Sequence, residues 1–304
     1  VIVPENIRFG TSSWAYEGWR GLVYRKSYPK SRFAKDCLGE YVSYQYQGTP
    51  LFRTVGLDHS FYRPPTASQL EHYRSQVPAD FRICSKVWEE ITIPAYANQA
   101  RYGAKAGTAN PRFLDASLCQ EMVLGPSLEG LGAQAGPFLF EFQRYGPEPE
   151  AFLASLDRFF SRLPPGPAYA VEVRNPALLG TRYRDLLRAH GVAHTYNHWN
   201  VMPPLSGQHA ALGKTFTADF VVVRLLTPLG TSFSEAVRLY APYDRLVQPL
   251  PRMRADTLAL LRQAVSEQTP VYVLVNNRSE GNAPLTIQAL ADAFLPDDAQ
   301  PSDS

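Results

Sequence analysis

Four apolar segments of this sequence carry charge where charge is hard to keep. "AYAVEVRNP" holds Glu172 and Arg174 two residues apart, "FRICSKVW" holds Lys86, "GPFLFEFQ" holds Glu141, and "DFVVVRLL" holds Arg224. If each segment is a β-strand, its side chains alternate between two faces. Lys86 then shares a face with Cys84, Glu141 with Leu139, Glu172 with Arg174, and Arg224 with Val222. An unpaired charge pressed against a helix layer costs several kcal/mol, so the five charges belong on the opposite face, in one shared interior. Carboxylates there suit general acid/base work, and the cations suit an anionic group. Arg174 and Arg224 could grip a phosphate or carboxylate as a fork. The same charges could also form a buried ion-pair network with no chemistry. Buried pairs are poor stabilisers and perturbed charges cluster at sites, which favours the functional reading.

The histidines invite a metal reading. "HGVAHTYNHW" spaces His190, His194 and His198 four apart, a ligand column if helical. Gly191 ends the helix, however, and along a strand His194 and His198 stand roughly 13 Å apart. His198, at the strand end, and Asp58 in "LDHSFY" remain as weak metal candidates, and with Glu141 and Glu172 they could form a divalent site. No motif requires a cofactor; a divalent metal is the one possibility. "GTSSWAYEGWRG" offers Trp14, Tyr16 and Trp19 to stack a sugar or base, or to plug the barrel rim. Asn276 and Asn277 could orient a polar ligand, and the boundary near Asn282 and Pro284 could take an anion at a helix start. There is no G-x-S-x-G, so a serine hydrolase is not expected.

The elements that must position these residues recur in a rhythm. Eight strand segments are expected at 6–14, 55–62, 81–88, 136–143, 168–176, 192–199, 219–226 and 270–277. Between them lie amphipathic helical patterns at 66–77, 150–163, 182–191 and 255–268. Eight alternations predict an α/β fold, a single TIM-type (β/α)8 barrel over residues 1–295, with active residues at the C-terminal ends of the strands. A doubly wound open sheet competes, but no G-x-G-x-x-G or P-loop follows the first strand. Stretches 95–136 and 227–254 are too long for simple crossovers and predict elaborated loops after strands 3 and 7. The acidic, Pro/Ser-rich residues 296–304 are expected to be a disordered tail.

Composition narrows the classes. The 304 residues are 45% hydrophobic, enough for one large core. A formal net charge of +2 is too small to imply nucleic-acid binding by itself. Three cysteines without a C-x-x-C exclude a disulfide framework and suit a reducing compartment. With no signal-peptide pattern and no membrane-length apolar run, a cytoplasmic protein without membrane contact is expected.

Taken in order, "FGTSSWAYEGWRGLVY", "SFYRPPTASQLEHYRSQVP", "FRICSKVWEEIT", "GPFLFEFQ", "AVEVRNP" and "VYVLVNNRSEGNAP" resemble the domain-of-unknown-function family 72, also called YecE-like, over nearly the whole chain. The resemblance implies a TIM-type barrel but no established activity. It carries Trp14, Phe61, Tyr62, Lys86, Glu172, Arg174, Arg224 and Asn276 over as pattern positions. It also marks departures: Gly56 stands where the pattern has Glu, Asp58 where it has Asn, Glu141 where it has Gln, and Ile93 where it has His. The leading expectation is an enzyme, a hydrolase or acid/base catalyst, acting on a small phosphate- or carboxylate-bearing substrate. Glu172, Glu141 and Lys86 form its catalytic group. Arg174, Arg224, Trp14, Tyr62, Asn276 and Asn277 bind substrate. A nucleic-acid-binding or repair protein, by fold comparison with endonuclease IV-like barrels, is one alternative. A non-catalytic binding scaffold is another.

Overall fold

A computed structural model of the chain describes residues 3–144 and 147–294; the expected tail at 296–304 lies outside the described residues. Eight parallel strands form one sheet: β1 Ile7–Thr11, β2 Thr54–Leu57, β3 Arg82–Lys86, β4 Ala135–Phe142, β5 Tyr169–Val173, β6 Ala193–His198, β7 Val221–Leu225 and β8 Val271–Val275. Hydrogen-bonded neighbours run β1-β8-β7-β6-β5-β4-β3-β2, so the sheet curls into a nearly closed barrel. One principal helix follows each strand: α1 Leu38–Val42, α2 Ala67–Arg74, α3 Gly125–Leu131, α4 Pro149–Phe160, α5 Thr181–Ala189, α6 Leu205–Ala211, α7 Pro251–Ser266 and α8 Ala283–Phe294.

The helix ends follow local chemistry. Thr66 and Gln69 make a reciprocal capping box at the start of α2. Pro149 opens α4 and Pro251 opens α7, where a missing N–H costs nothing. Gly191, just beyond α5, takes a left-handed φ of 62°. The connection after β3 is the most elaborate. It carries helical turns at Glu89–Thr92, Ala100–Lys105 and Ala116–Cys119, and a wide π-type turn at Gln120–Leu124, before α3.

Strand parity divides the core in two. Outward residues such as Val55, Ile83, Phe140, Val171, Val223 and Val273 are essentially fully buried against the helices. Each such side chain contributes roughly 1.5–3 kcal/mol on leaving water. Inward residues Cys84, Leu139, Ala170, Ala193, Val222 and Leu274, with Phe220, form a separate small plug inside the barrel. The next inward position along most strands is polar or charged. The plug therefore supports a polar floor at the C-terminal end.

Among the described residues, the one joint without a ladder lies between β1 and β2. Here the Arg53 N–H donates to the Phe9 carbonyl at 2.8 Å. The Tyr41 hydroxyl accepts from the Thr11 N–H at 3.0 Å and donates to the Thr54 carbonyl at 3.3 Å. Gly10 permits this approach: a Cβ there would stand 2.0 Å from the Thr54 carbonyl oxygen. Gly56 does the same against the Ser12 carbonyl, at 2.8 Å.

Candidate functional site

The charges meet where parity predicts. Glu141 sits at the end of β4 and Glu172 opposite it on β5, in direct register. The Lys86 ammonium reaches Glu141 Oε2 at 2.7 Å. Arg174 bonds Glu172 Oε1 through Nε at 2.9 Å and Glu141 Oε2 through Nη2 at 2.7 Å. Arg224 bonds Glu172 Oε2 at 2.5 Å and Glu141 Oε2 at 3.3 Å through Nη1. Its Nη2 reaches Asp58 Oδ1 at 3.1 Å. Gln143 completes Glu141 by donating to Oε1.

Parity alone counted three cations and two carboxylates. Asp58 makes it three against three. Sequence reasoning put Asp58 on a strand, but β2 stops at Leu57 and Asp58 opens a 3₁₀ turn to Phe61, which swings its carboxylate onto Arg224. The electrostatics follow from this crowding. Burial pushes the Glu141 carboxyl up, yet Arg174, Lys86 and Arg224 outweigh it and hold the group well below the usual carboxylate range. Burial alone would lower the Arg224 pKa, but Glu172, Asp58 and Glu141 raise it further, so its guanidinium is permanently charged. Glu141 is therefore ionised at neutral pH and has no proton to give.

A cavity of about 550 Å³ opens above this floor. Lys86 and Arg174 face it from the floor with a small exposed fraction each, Lys86 lying 3.9 Å over the Phe61 ring and Arg174 4.0 Å over Trp199. Glu172 is 0% exposed and does not line the cavity, whereas Asp58 does line it and its side chain is 31% exposed. The walls come from the connections after β2, β3, β6, β7 and β8, with Gln143 from just beyond β4. Tyr62 stands on the rim, 63% exposed, with Arg101 stacked 5.1 Å over its ring. Arg101 is fixed from behind by Glu89 at 2.9 Å. Five cationic side chains and three carboxylates line the cavity. Arg278 is among the cations, and no carboxylate of the described residues pairs with it.

Other residues singled out from sequence lie elsewhere. Trp14 is buried, donates to the Ala34 carbonyl at 2.8 Å and packs edge-on with Tyr73, so it is a plug beside the barrel. Asn276 accepts from the Arg278 N–H at 3.0 Å; Asn277 accepts from Trp19 Nε1 at 3.1 Å and from the Ala283 N–H at 2.9 Å. Both asparagines are buried and shape the turn into α8 rather than the cavity wall. The grouping of Asp58 and His198 around a metal is corrected by parity. In β6 it is Asn197 that points inward, donating to the Val173 carbonyl, while His198 lies on the outer face with Nδ1 3.0 Å from the Thr227 carbonyl. Among the described residues, no three His, Cys, Asp or Glu side chains are arranged to hold a metal ion. Sequence reasoning missed Trp199, Arg278, Arg101, Tyr102 and Phe233 as wall residues. Trp199 and Arg278 each fall within three positions of a strand end, a signal that was available; the others sit on connections whose path no spacing reveals.

The rim is closed over β1 and β8. Gly18 packs against the Pro242 carbonyl, Tyr16 meets Tyr243 edge-on with centroids 5.9 Å apart, and Asn282 donates to the Tyr243 carbonyl at 3.0 Å. The connection after β1 contributes no wall residue, so the cavity lies off the barrel axis. Among the described residues, no helix is long and apolar enough to cross a membrane.

The comparisons with known proteins concern the family and the fold. A family model described as "Protein of unknown function DUF72" matches residues 8–303. A solved DUF72 family protein from Enterococcus faecalis is 16% identical, with 98% of this chain and 99% of that one covered and a TM-score of 0.64. One from Thermotoga maritima is 17% identical, with 95% and 98% covered and a TM-score of 0.62. At these identities the likeness shows the fold alone. No curated protein matches the chain.

Proposed function

The chain belongs to the DUF72 family, and from that premise we propose that its barrel binds a small phosphate- or carboxylate-bearing substrate at the C-terminal mouth and acts on it by acid/base chemistry or hydrolysis. The observation that carries this reading is the direction of the hydrogen-bond donors. Glu141 and Glu172 spend their oxygens on the surrounding cations and, at Glu141 Oε1, on the Gln143 amide. Lys86 has three N–H bonds and gives one to a carboxylate; Arg174 has a whole Nη1 amino group with no acceptor among the described residues. Free donors therefore remain on Lys86 and Arg174, at the floor of the cavity. Donors held rigidly from behind, with unused N–H groups in front, are what binding of an anion needs.

In this reading Glu141 and Glu172 are positioning residues, and Arg224 ties them together. Asp58 is the carboxylate that can touch a substrate. It lines the cavity, and its Oδ2 makes no hydrogen bond among the described residues. Asp58 serves as the proton acceptor, and Lys86 stabilises the negative charge that develops. The equal charge count supports the second reading, a binding scaffold without turnover.

Calorimetric titration with inorganic phosphate, methyl phosphate and acetate at low salt tests the proposal. Binding is expected in the wild type, with at least about tenfold loss in Lys86→Met and Arg174→Gln. Asp58→Asn should retain binding and lose turnover of whichever ester is processed. A wild type that binds none of these anions at millimolar concentration sinks the reading. Binding without turnover of any ester leaves the scaffold.

A further inference from the structure

Resting on that anion site, we infer that the ligand is bipartite: an anionic head on Lys86 and Arg174, and a planar ring held at the rim by Tyr62 and Phe233. The large apolar side chains that remain exposed in the described structure supply the argument. Tyr62, at 63%, and Phe233, at 52%, are the two most exposed of them. Both line the same cavity, and none of the other large exposed apolar side chains does. Exposed apolar residues scattered singly need no explanation. Two exposed rings on the mouth of a charged-floor cavity are a different matter.

Their setting favours a flat partner. Tyr62 enters from the connection after β2 and Phe233 from that after β7, three strands apart round the barrel. Each ring carries a guanidinium on one face: Arg101 lies 5.1 Å from the Tyr62 centroid and Arg278 4.4 Å from that of Phe233. Each cation favours one face of its ring, Phe61 meets Tyr62 at right angles with centroids 5.3 Å apart, and more than half of each aromatic residue stays exposed to solvent or ligand. A cavity of about 550 Å³ also greatly exceeds what a bare phosphate or carboxylate fills. The remaining space lies between aromatic walls, where a ring gains by face or edge contact.

Three matched probes decide it: methyl, cyclohexyl and phenyl phosphate, with acetate, cyclohexanecarboxylate and benzoate as the carboxylate set, each titrated calorimetrically. For whichever head group binds, the aryl compound is expected to bind about tenfold tighter than the methyl one, and tighter than the cyclohexyl one. The double variant Tyr62→Ala/Phe233→Ala should erase that advantage and leave the methyl compound's Kd within twofold. Both rings are largely solvent-exposed, and far-UV circular dichroism checks that the variant is folded. Equal affinity for methyl and phenyl compounds, equal affinity for cyclohexyl and phenyl, or an aryl advantage that survives in the double variant each overturns the inference while leaving the anion site standing. If no compound of either set binds, the anion site itself falls and the inference with it.

Discussion

Replacing Arg224 by Met tests whether the charged floor is a single coupled object. Arg224 is 1% exposed and contacts three carboxylates. Their fates on its removal differ. Asp58 is 31% exposed and can be solvated, and Glu141 keeps Lys86 and Arg174 within 2.7 Å. Glu172 is 0% exposed, and its Oε2 loses the one partner it has among the described residues. The cost therefore concentrates on one stranded buried oxygen. Breaking a buried pair from one side typically costs about 3–5 kcal/mol, and Arg224→Met should lose about that much. Glu172→Gln alone removes the carboxylate at 2.5 Å but leaves Arg224 its contacts with Asp58 and Glu141, and should cost less, about 1–3 kcal/mol. The double variant Arg224→Met/Glu172→Gln restores charge balance at two against two. It should be more stable than the sum of the singles by at least about 2 kcal/mol. Guanidinium unfolding of the four proteins, followed by circular dichroism and tryptophan fluorescence, reads these differences. If Arg224→Met costs under about 1 kcal/mol, or if the singles add to within about 0.5 kcal/mol, the charges are individually solvated and the floor is not pre-organised.

His194 supplies a pH prediction from outside the cavity. It lies on the outer face of β6, with Nδ1 3.0 Å from the Tyr183 hydroxyl, and burial pushes its pKa down from 6.5 to about 4. The folded state thus refuses a proton that the unfolded chain accepts, and stability falls as pH drops from 6.5 to 4, by about 3 kcal/mol over the window. Denaturation midpoints of His194→Gln should show a shallower slope there, by about one proton; an unchanged slope refutes the assignment. At the β1/β2 joint, Gly10→Ala should cost about 3 kcal/mol or prevent folding, because the new methyl meets backbone rather than a movable side-chain end. A thermal midpoint within 2–4 °C of the wild type, the shift that about 1 kcal/mol produces, would contradict the close approach.

The strands were legible because outward Val, Ile and Phe alternate with a different inward set. The bounds differ by a few residues where the sequence pattern runs on into turns, as in "VGLDHSFY", where the strand stops at Leu57. Parity also located Lys86, Glu141, Glu172, Arg174 and Arg224, since a strand has two sides and helices occupy one. It was less useful where residue type was read without a face. A position at the strand end suggests an interior role for His198, but strand alternation gives that side to its neighbour Asn197. Trp14, Asn276 and Asn277 have ligand-binding chemistry, but the Trp14 donor and the Asn276 and Asn277 side-chain acceptors are used within the fold. The wall formed by Arg101, Tyr102 and Phe233 depends on the three-dimensional course of long connections. That course is set by contacts such as Glu89 to Arg101, remote from any periodic signal.

The off-axis cavity divides the mouth of the barrel into two kinds of territory. On one arc, the connections after β1 and β7 and the turn after β8 lock together through Gly18, Pro242, Tyr243 and Asn282, beside the joint that Gly10 and Tyr41 hold shut. Changes there disturb closure of the whole cylinder. On the other arc, Tyr62, Arg101 and Trp199 reach the cavity from the connections after β2, β3 and β6, and their side chains take no part in the Gly18, Tyr243 and Asn282 contacts. An engineer seeking new ligands would begin with the side chains of that second arc, which reach the cavity without holding the first arc together.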